Sequence, residues 1–364
     1  MVHARQDLRH FLEAYQAAHP EDVLTVDAPL SADQDITALV WSLAAQGRHP
    51  LLLCNQVSGL GVPVVTNIFG SRERVARLLG TDAAGIHAAY QARTRAMVAP
   101  RDVGSGPVCD IVESNNIDLS RLPLINHFQT DRAPYITNGV IAADHPDTGA
   151  GNLSYHRSML HSKTELATSL HSRGHLWRIL QAANDNGQPL RVAMVIGAHP
   201  LFMLAASARL PLGVDERHVA GGLMGEPLEI VRTPKYGIAA PAYAEYVLEG
   251  VIDAKAHVVR WQAWARSKPK CNIFHGRMLH DETVQTNHIG RTDVDPNATP
   301  ARVQAGSDGG EFKAPAFVRL AGTGAQWLES GARSQAGGAS APYWRLLFDP
   351  GRPASTDAIG QTTG

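Results

Sequence analysis

The residues best placed to do chemistry are Asn152, Arg157, His175 and Glu216. They lie in the run Gly151-Asn152-Leu153-Ser154-Tyr155-His156-Arg157, at a histidine further on, and in Gly213-Val214-Asp215-Glu216. Asn152 offers a carbonyl oxygen, Glu216 a carboxylate and His175 an imidazole nitrogen. This oxygen-rich set suits Mg²⁺ or Mn²⁺ better than a closed zinc site, and such a cation commonly holds phosphate. Arg157 follows Asn152 by five residues, which on an extended strand is ~17 Å. Its planar fork suits bidentate binding of a carboxylate. A metal at one end and a carboxylate-binding arginine at the other leave room for a long cofactor. Taken singly, each residue also has a plainer reading. Asn152 could be a turn residue after Gly149 and Gly151, Arg157 a strand-face ion pair, and Glu216 a surface carboxylate at a helix start. His171 and His175 form an i, i+4 pair that could hold zinc on one helical face, although no Glu follows His171 and Gly174 interrupts the pattern.

These residues need elements to position them. Leu8, Phe11, Leu12 and Tyr15 recur at helical spacing, as do Ile36, Leu39, Val40 and Leu43 within Asp35 to Ala45. Val23-Leu24-Thr25-Val26, Pro50-Leu51-Leu52-Leu53-Cys54 and Val62-Pro63-Val64-Val65-Thr66 read as short strands, and Ser71 caps a helix from Arg72. The first hundred residues therefore read as α/β. Pro100, Gly104, Gly106 and Pro107 mark a connection, with a boundary near residue 105, and Leu119 to Ile125 is expected to cross the surface. Two strands, Tyr135–Ile141 and Asn152–Leu160, flank the turn Asp144-His145-Pro146-Asp147-Thr148-Gly149 and predict a β-hairpin on a barrel. Ser172 is the expected cap of a helix running to Asn184, Val192–Ile196 a buried strand, and His199–Ala208 a helix leading to the loop that carries Glu216.

The chain has 364 residues, room for two or three domains, and a net charge of -1, which gives no basic field to recruit nucleic acid. No apolar run approaches a membrane span and the amino terminus lacks the apolar core of a signal peptide, so the expected location is the cytoplasm. Cys54, Cys109 and Cys271 are an odd, widely spaced set and argue against a disulfide framework; Cys54 reads as a buried strand thiol.

The order and spacing of the metal set resemble the UbiD family of decarboxylases that use prenylated flavin mononucleotide. The resemblance runs over about residues 5–253. It includes Pro63-Val64-Val65-Thr66-Asn67-Ile68-Phe69-Gly70-Ser71-Arg72-Glu73-Arg74, Pro134-Tyr135-Ile136-Thr137-Asn138-Gly139 and Ala244-Glu245-Tyr246-Val247-Leu248-Glu249-Gly250. It implies an α/β (α+β) multidomain chain: an N-terminal α/β domain (1–104), a split β-barrel domain for prenylated FMN and metal (105–255), and an atypical tail (256–364). The activity implied is non-oxidative, reversible decarboxylation of an α,β-unsaturated or aromatic carboxylic acid. Protein side chains stabilise the resulting carbanion badly, so an electrophilic cofactor takes up its charge.

Carried over residue by residue, the resemblance makes Asn152, His175 and Glu216 ligands of Mn²⁺ or Mg²⁺, and Arg157 the catalytic arginine beside flavin and substrate carboxylate. Tyr155, His156, Arg157, Thr168, Ser169, Leu170, Arg173 and Gly174 become cofactor contacts, with K⁺ implied near Ala205 to Ala208. A flavin prenyltransferase would supply the cofactor. Family members form homo-oligomers through a later domain. Neither that domain nor the family's Pro-Glu-Gly-Pro-Phe-Gly-Glu-like segment, which supplies the proton-donating carboxyl, is recognisable after Asp253. Glu282, Glu311 and Glu329 lie in the tail, outside that motif. The C-terminal region accordingly reads as diverged, frameshifted or truncated. A flavin-binding or partner-binding remnant without turnover, and a zinc hydrolase built on His171 and His175, are the alternatives.

Overall fold

The computed structural model describes residues 6–115, 117–170 and 174–252 in full, and the backbone of strands at 258–265, 272–274, 303–305 and 310–312. Asp7 accepts the Arg9 amide at 2.7 Å and so starts helix Leu8–Ala18 (α1). Strands Val23–Val26 (β1) and Leu30–Ser31 (β2), helix Asp35–Ala45 (α2), strands Leu51–Cys54 (β3), Val57–Ser58 (β4) and Val64–Thr66 (β5), and helices Arg72–Leu78 (α3) and Ile86–Arg95 (α4) complete the amino-terminal region. β1 lies parallel to β3 and β3 antiparallel to β5, with Asn272–Phe274 added beside β5. The expected α/β elements are all present. Ser71 accepts the Arg74 amide at 3.3 Å as the predicted cap, and Cys54 is buried in β3, where burial pushes its thiol up to about 12.

The motif ending in Arg74 builds structure. The fully buried Arg74 guanidinium donates to Asn67 O at 2.6 Å, His49 O at 2.8 Å and Asp22 Oδ1 at 2.7 Å. It thereby ties three loops with groups that would otherwise be unpaired backbone carbonyls and a lone carboxylate.

Beyond residue 100 come Arg101–Asp102 (β6), Ile111–Glu113 (β7), Tyr135–Ile136 (β8), Val140–Asp144 (β9), Gly151–Tyr155 (β10), Ser158–Leu160 (β11) and Glu165–Thr168 (β12). Helix His175–Asp185 (α5), strand Leu190–Ile196 (β13), helices Pro200–Ala205 (α6) and Glu216–Met224 (α7), and strands Glu229–Arg232 (β14), Ala239–Pro241 (β15), Tyr246–Ile252 (β16) and Val258–Ala265 (β17) follow. The principal sheet runs β10-β9-β13-β16-β17-β12-β11-β8, with β7 beside β17. Its two ends are the two halves of one hairpin, β9–β10 at one end and β8–β11 at the other.

Between those halves the pairing slips. Ile136 faces Ser158 and Val140 faces Tyr155, so Thr137, Asn138 and Gly139 stand against His156 and Arg157. An extra residue on one strand breaks the ladder and re-aims side chains. Gly139 is needed there because a Cβ would meet Met194 Sδ at 2.7 Å.

Side chains alternate across the sheet. Val140, Ala142, Leu153, Ala193 and Val195 join a core with Phe202, Val219, Leu8, Leu51 and Val75. Ile141, Ala143, Val192, Met194 and Leu248 face α5, which buries Leu176, Ile179, Leu180 and Ala183, each large side chain contributing on the order of 1.5–3 kcal/mol. The first of these cores runs continuously across residue 105.

Two expectations are corrected. Leu119–Ile125 was expected at the surface, yet Leu119 and Ile125 are buried at 0% and 1% exposure, because Leu119 fills the α5 core and Ile125 the α2 core. The α5 cap is Gly174, whose extended backbone turns into the helix without a side-chain bond; Ser172 lies outside the described residues. The sheet also takes in β17, beyond residue 255, whereas most of 256–364 lies outside the described residues. Among the described residues no helix is long and apolar enough to cross a membrane.

Candidate active site

Asn152 sits within β10 rather than in a turn, and is 3% exposed. Its rung partner is Ala143, so it projects on the α5 side of the sheet, where its Nδ2 donates to Ser154 Oγ at 3.3 Å. β10 ends the strand path, and its outward amides need acceptors other than a strand. Glu216 provides one: its Oε2 accepts the Leu153 amide at 2.8 Å. Glu216 is the first residue of α7, capped by Asp215, and only 2% exposed, so it is no surface carboxylate. Burial pushes its carboxyl up to about 7, with the Leu153 amide opposing the shift. Glu216 is therefore held at the sheet edge by the backbone of the residue next to Asn152, 63 positions away in sequence.

His175 opens α5, which packs on β9, β10 and β13 and so lies on the Asn152 side of the sheet. Burial and then the Arg178 charge lower its pKa, favouring the neutral ring that ligates metals. Among the described residues no three His, Cys, Asp or Glu side chains form a metal cluster. The expected set contains only two side chains of those types, its third member being an amide.

Arg157 lies at the break in the hairpin. Its Nη2 is buried and has no hydrogen-bond partner. In the same break, Thr137 Oγ1 and both Nδ2 and Oδ1 of Asn138 are likewise buried and unpartnered, with Thr137 3% and Asn138 2% exposed. Unsatisfied buried groups each cost about 1–3 kcal/mol, and four at one break mark a place where a polar guest would be held. The Arg157 charge also reaches two neighbours. Burial first, then Arg157, hold the His127 imidazole down at about 4, while burial, then Asp131, raise the Tyr135 phenol against the opposing pull of Arg157 and Arg132.

The other expected cofactor contacts are committed within the protein. Tyr155 donates its hydroxyl to Met203 O at 2.9 Å. His156 uses both ring nitrogens, Nδ1 to Ser169 O at 3.0 Å and Nε2 to Ser154 Oγ at 3.1 Å. Thr168 is buried with its hydroxyl 2.8 Å from Ser158 Oγ, and the Ser169 amide donates to Arg157 O at 3.3 Å. Leu170 packs against the α5 core, and Gly174 caps α5. His156 and Ser169 thus fix the backbone around Arg157. Arg173 and His171 lie outside the described residues. At the end of α6, Leu204 O accepts from Ser207 Oγ at 2.7 Å and Met203 O from Tyr155, so hydroxyls occupy carbonyls next to the segment expected to hold K⁺.

Sequence reasoning missed Thr137 and Asn138, which it used only as part of a motif, and Asp144, Asp215 and Arg217, which flank the Asn152–Glu216 meeting. A Thr-Asn-Gly run in a strand pattern signals a break, since glycine in a strand marks close backbone approach.

Comparison with known proteins agrees with this fold. Residues 16–93 match the 3-octaprenyl-4-hydroxybenzoate carboxy-lyase N-terminal domain, and residues 101–262 the Rift-related domain of the same carboxy-lyase. Over these residues the chain belongs to the UbiD family. It is 32% identical over 247 residues to anhydromevalonate phosphate decarboxylase of Methanothermobacter thermautotrophicus, covering 67% of this chain and 55% of that one. With the enzyme of the same name from Methanosarcina mazei it shares 35% identity over 220 residues, 59% of this chain and 49% of that one. The chain therefore spans about half the length of these relatives. Among solved structures it is similar to an evolved dimeric form of the UbiD-class enzyme HmfF from Pelotomaculum thermopropionicum in complex with prFMN. There the TM-score is 0.69 and the identity 29%, covering 75% of this chain and 68% of that one.

Proposed function

We propose that this chain is a prenylated-FMN-dependent carboxy-lyase acting on an α,β-unsaturated or aromatic carboxylic acid, with a divalent metal. The observation that carries the reading is the break at Thr137–Gly139 and His156–Arg157, where four buried polar atoms lack partners within the protein. The group fits this chain on two counts: those unpaired atoms, and an amide–imidazole–carboxylate set suited to Mn²⁺ or Mg²⁺ at Asn152, His175 and Glu216. The prFMN complex of HmfF supports the cofactor, and the decarboxylase names of the relatives support the reaction class. The two-ended principal sheet, returning to a single hairpin, supports the split barrel.

When bound, prenylated flavin supplies the electron sink that the carbon losing CO₂ requires. The side chains do the rest. Arg157 binds the substrate carboxylate with parallel N–H···O bonds in a buried setting, where such bonds are strongest and orient the scissile carbon. Thr137 and Asn138 offer one hydroxyl, one carbonyl oxygen and one NH₂ opposite it, and so fix the polar edge of the guest. His127, kept neutral by burial and by Arg157, adds no second positive charge that would compete for the carboxylate. Asn152, His175 and Glu216 would hold a divalent metal, which would neutralise the cofactor phosphate.

Co-expression with a flavin prenyltransferase, followed by absorbance and mass spectrometry of the purified chain, tests this. Prenylated FMN retained with one Mn²⁺ or Mg²⁺ is expected, whereas a folded chain that retains none overturns the proposal. A cofactor-binding protein without turnover is the second reading, favoured by the missing Pro-Glu-Gly-Pro-Phe-Gly-Glu-like segment. Cofactor retention without CO₂ release selects it. The zinc hydrolase reading rests on His171, outside the described residues, and predicts bound zinc that is lost in His171→Ala.

A further inference from the structure

We propose that Arg217 is the positioning residue of the site: it fastens the start of α7 to the end of the hairpin, and so sets Glu216 against the Asn152 strand. This rests on the site reading given above. Arg217 is 4% exposed and spans two carboxylates from different elements. Its Nε donates to Asp215 Oδ2 at 2.8 Å and Oδ1 at 3.0 Å, its Nη2 to Asp144 Oδ1 at 2.6 Å, and its Nη1 to Ala239 O at 3.4 Å. Asp215 caps α7 immediately before Glu216, and its Oδ1 also accepts the Arg217 amide at 2.8 Å. Asp144 is the rung partner of Gly151, and the next rung is Ala143 with Asn152. One guanidinium therefore joins the residue before one ligand to the rung before the other.

Gly151 carries the complementary half of the argument. A Cβ at this position would fall inside the Arg217 guanidinium and against Asp215 Oδ2. Its φ lies outside the left-handed region, so the strand itself does not demand glycine. The position is empty because Arg217 fills it. Without that clamp, the Leu153–Glu216 bond is the polar tie left between the β10 edge and the α7 start among the described residues. A planar, permanently charged fork is suited to hold two carboxylates at fixed separation, which lysine does less well.

The test uses the full chain, metal-free and then with added Mn²⁺, in four forms: wild type, Arg217→Met, Arg217→Lys and Gly151→Ala. Amide exchange at Leu153, with Ala193 in β13 as internal control, reads the clamp without any metal. Arg217→Met should speed Leu153 exchange about tenfold or more while Ala193 keeps its protection. It should weaken Mn²⁺ binding about 10–100-fold, as loss of an outer partner of a ligand does. Arg217→Lys should fall between. Gly151→Ala should reproduce the Arg217→Met effect, and the double variant should add little to either single one, because both break the same juxtaposition. Unchanged Leu153 exchange in Arg217→Met, or strictly additive effects in the double variant, would overturn the proposal. A wild type that binds no Mn²⁺ but whose Leu153 protection still depends on Arg217 would sink the metal reading and leave the clamp standing.

Discussion

The two halves of the hairpin β8–β11 carry opposite kinds of polar chemistry. On the β9–β10 half, Glu216 holds the Leu153 amide, and Arg217 holds Asp144 and Asp215. At the break leading to the β8–β11 half, Arg157 Nη2, Thr137 Oγ1 and both polar atoms of Asn138 are buried with nothing to bond. The first region is assembled by the protein for itself. The second leaves polar atoms without partners among the described residues. The difference is what supports placing the proposed guest at the break rather than at the tied half.

The largest effect should come from the open half. Arg157→Ala is expected to lower CO₂ release by about 10²–10³-fold or more while sparing part of the cofactor binding, since it removes a preorganised buried donor to the substrate. Single-turnover assays of the cofactor-loaded protein check this, and unchanged turnover removes Arg157 from the mechanism.

The start of α6 should respond to acid. Burial holds His199, the α6 cap, at about 4, against an ordinary value of 6.5, with Asp7 opposing and His10 reinforcing the shift. A folded-state pKa below the unfolded one means the unfolded chain binds more protons. Stability is then fully present above about 6.5 and is lost as pH falls toward 4, on the order of 3 to 3.5 kcal/mol in all. His199→Asn keeps an acceptor for the Leu201 amide and removes the titration. Its unfolding free energy should fall less steeply across that range in denaturant titrations at several pH values; an identical slope would contradict the assignment.

A single chemical change should have opposite signs on the two sides of the break. Thr137→Val deletes an unpartnered buried hydroxyl and should stabilise the cofactor-free chain by about 1 kcal/mol while weakening retention of flavin. Thr168→Val deletes a hydroxyl bonded to Ser158 and should destabilise it by about 0.5–1.5 kcal/mol. Thermal melts of the two variants side by side check this, and equal signs would erase the distinction between the unpartnered and the bonded hydroxyl. Asn138→Leu extends the test, with stabilisation of about 1–3 kcal/mol in the empty chain and loss of cofactor retention.

Much of this was legible in the sequence because it is local. Helical spacing at Leu8 to Tyr15 and Asp35 to Ala45, the Ser71 cap, and the turn between the two strands all depend on residues close in the chain. Glu216 reaches the backbone amide of Leu153, the residue after Asn152, and only motif order pointed to that neighbourhood; their own types and spacing would have left one in a turn and the other on the surface. What escaped was set by contacts between distant segments. Arg217 reads as an ordinary helix charge until Asp144, 73 positions away, is brought beside it. Gly151 reads as a turn glycine, although it sits in a strand and yields its space to a guanidinium. Leu119 and Ile125 carry no periodic pattern that would reveal their burial beneath two different cores.

The account turns on whether the break between the halves receives prenylated flavin. The most direct measurement is the cofactor content of the chain co-expressed with a flavin prenyltransferase, by absorbance and mass spectrometry, compared with Asn138→Leu and Thr137→Val prepared in the same way. The account predicts prenylated FMN on the wild type and clear loss from both variants, although both are at least as stable. Equal retention in all three, or none in a folded wild type, would contradict it.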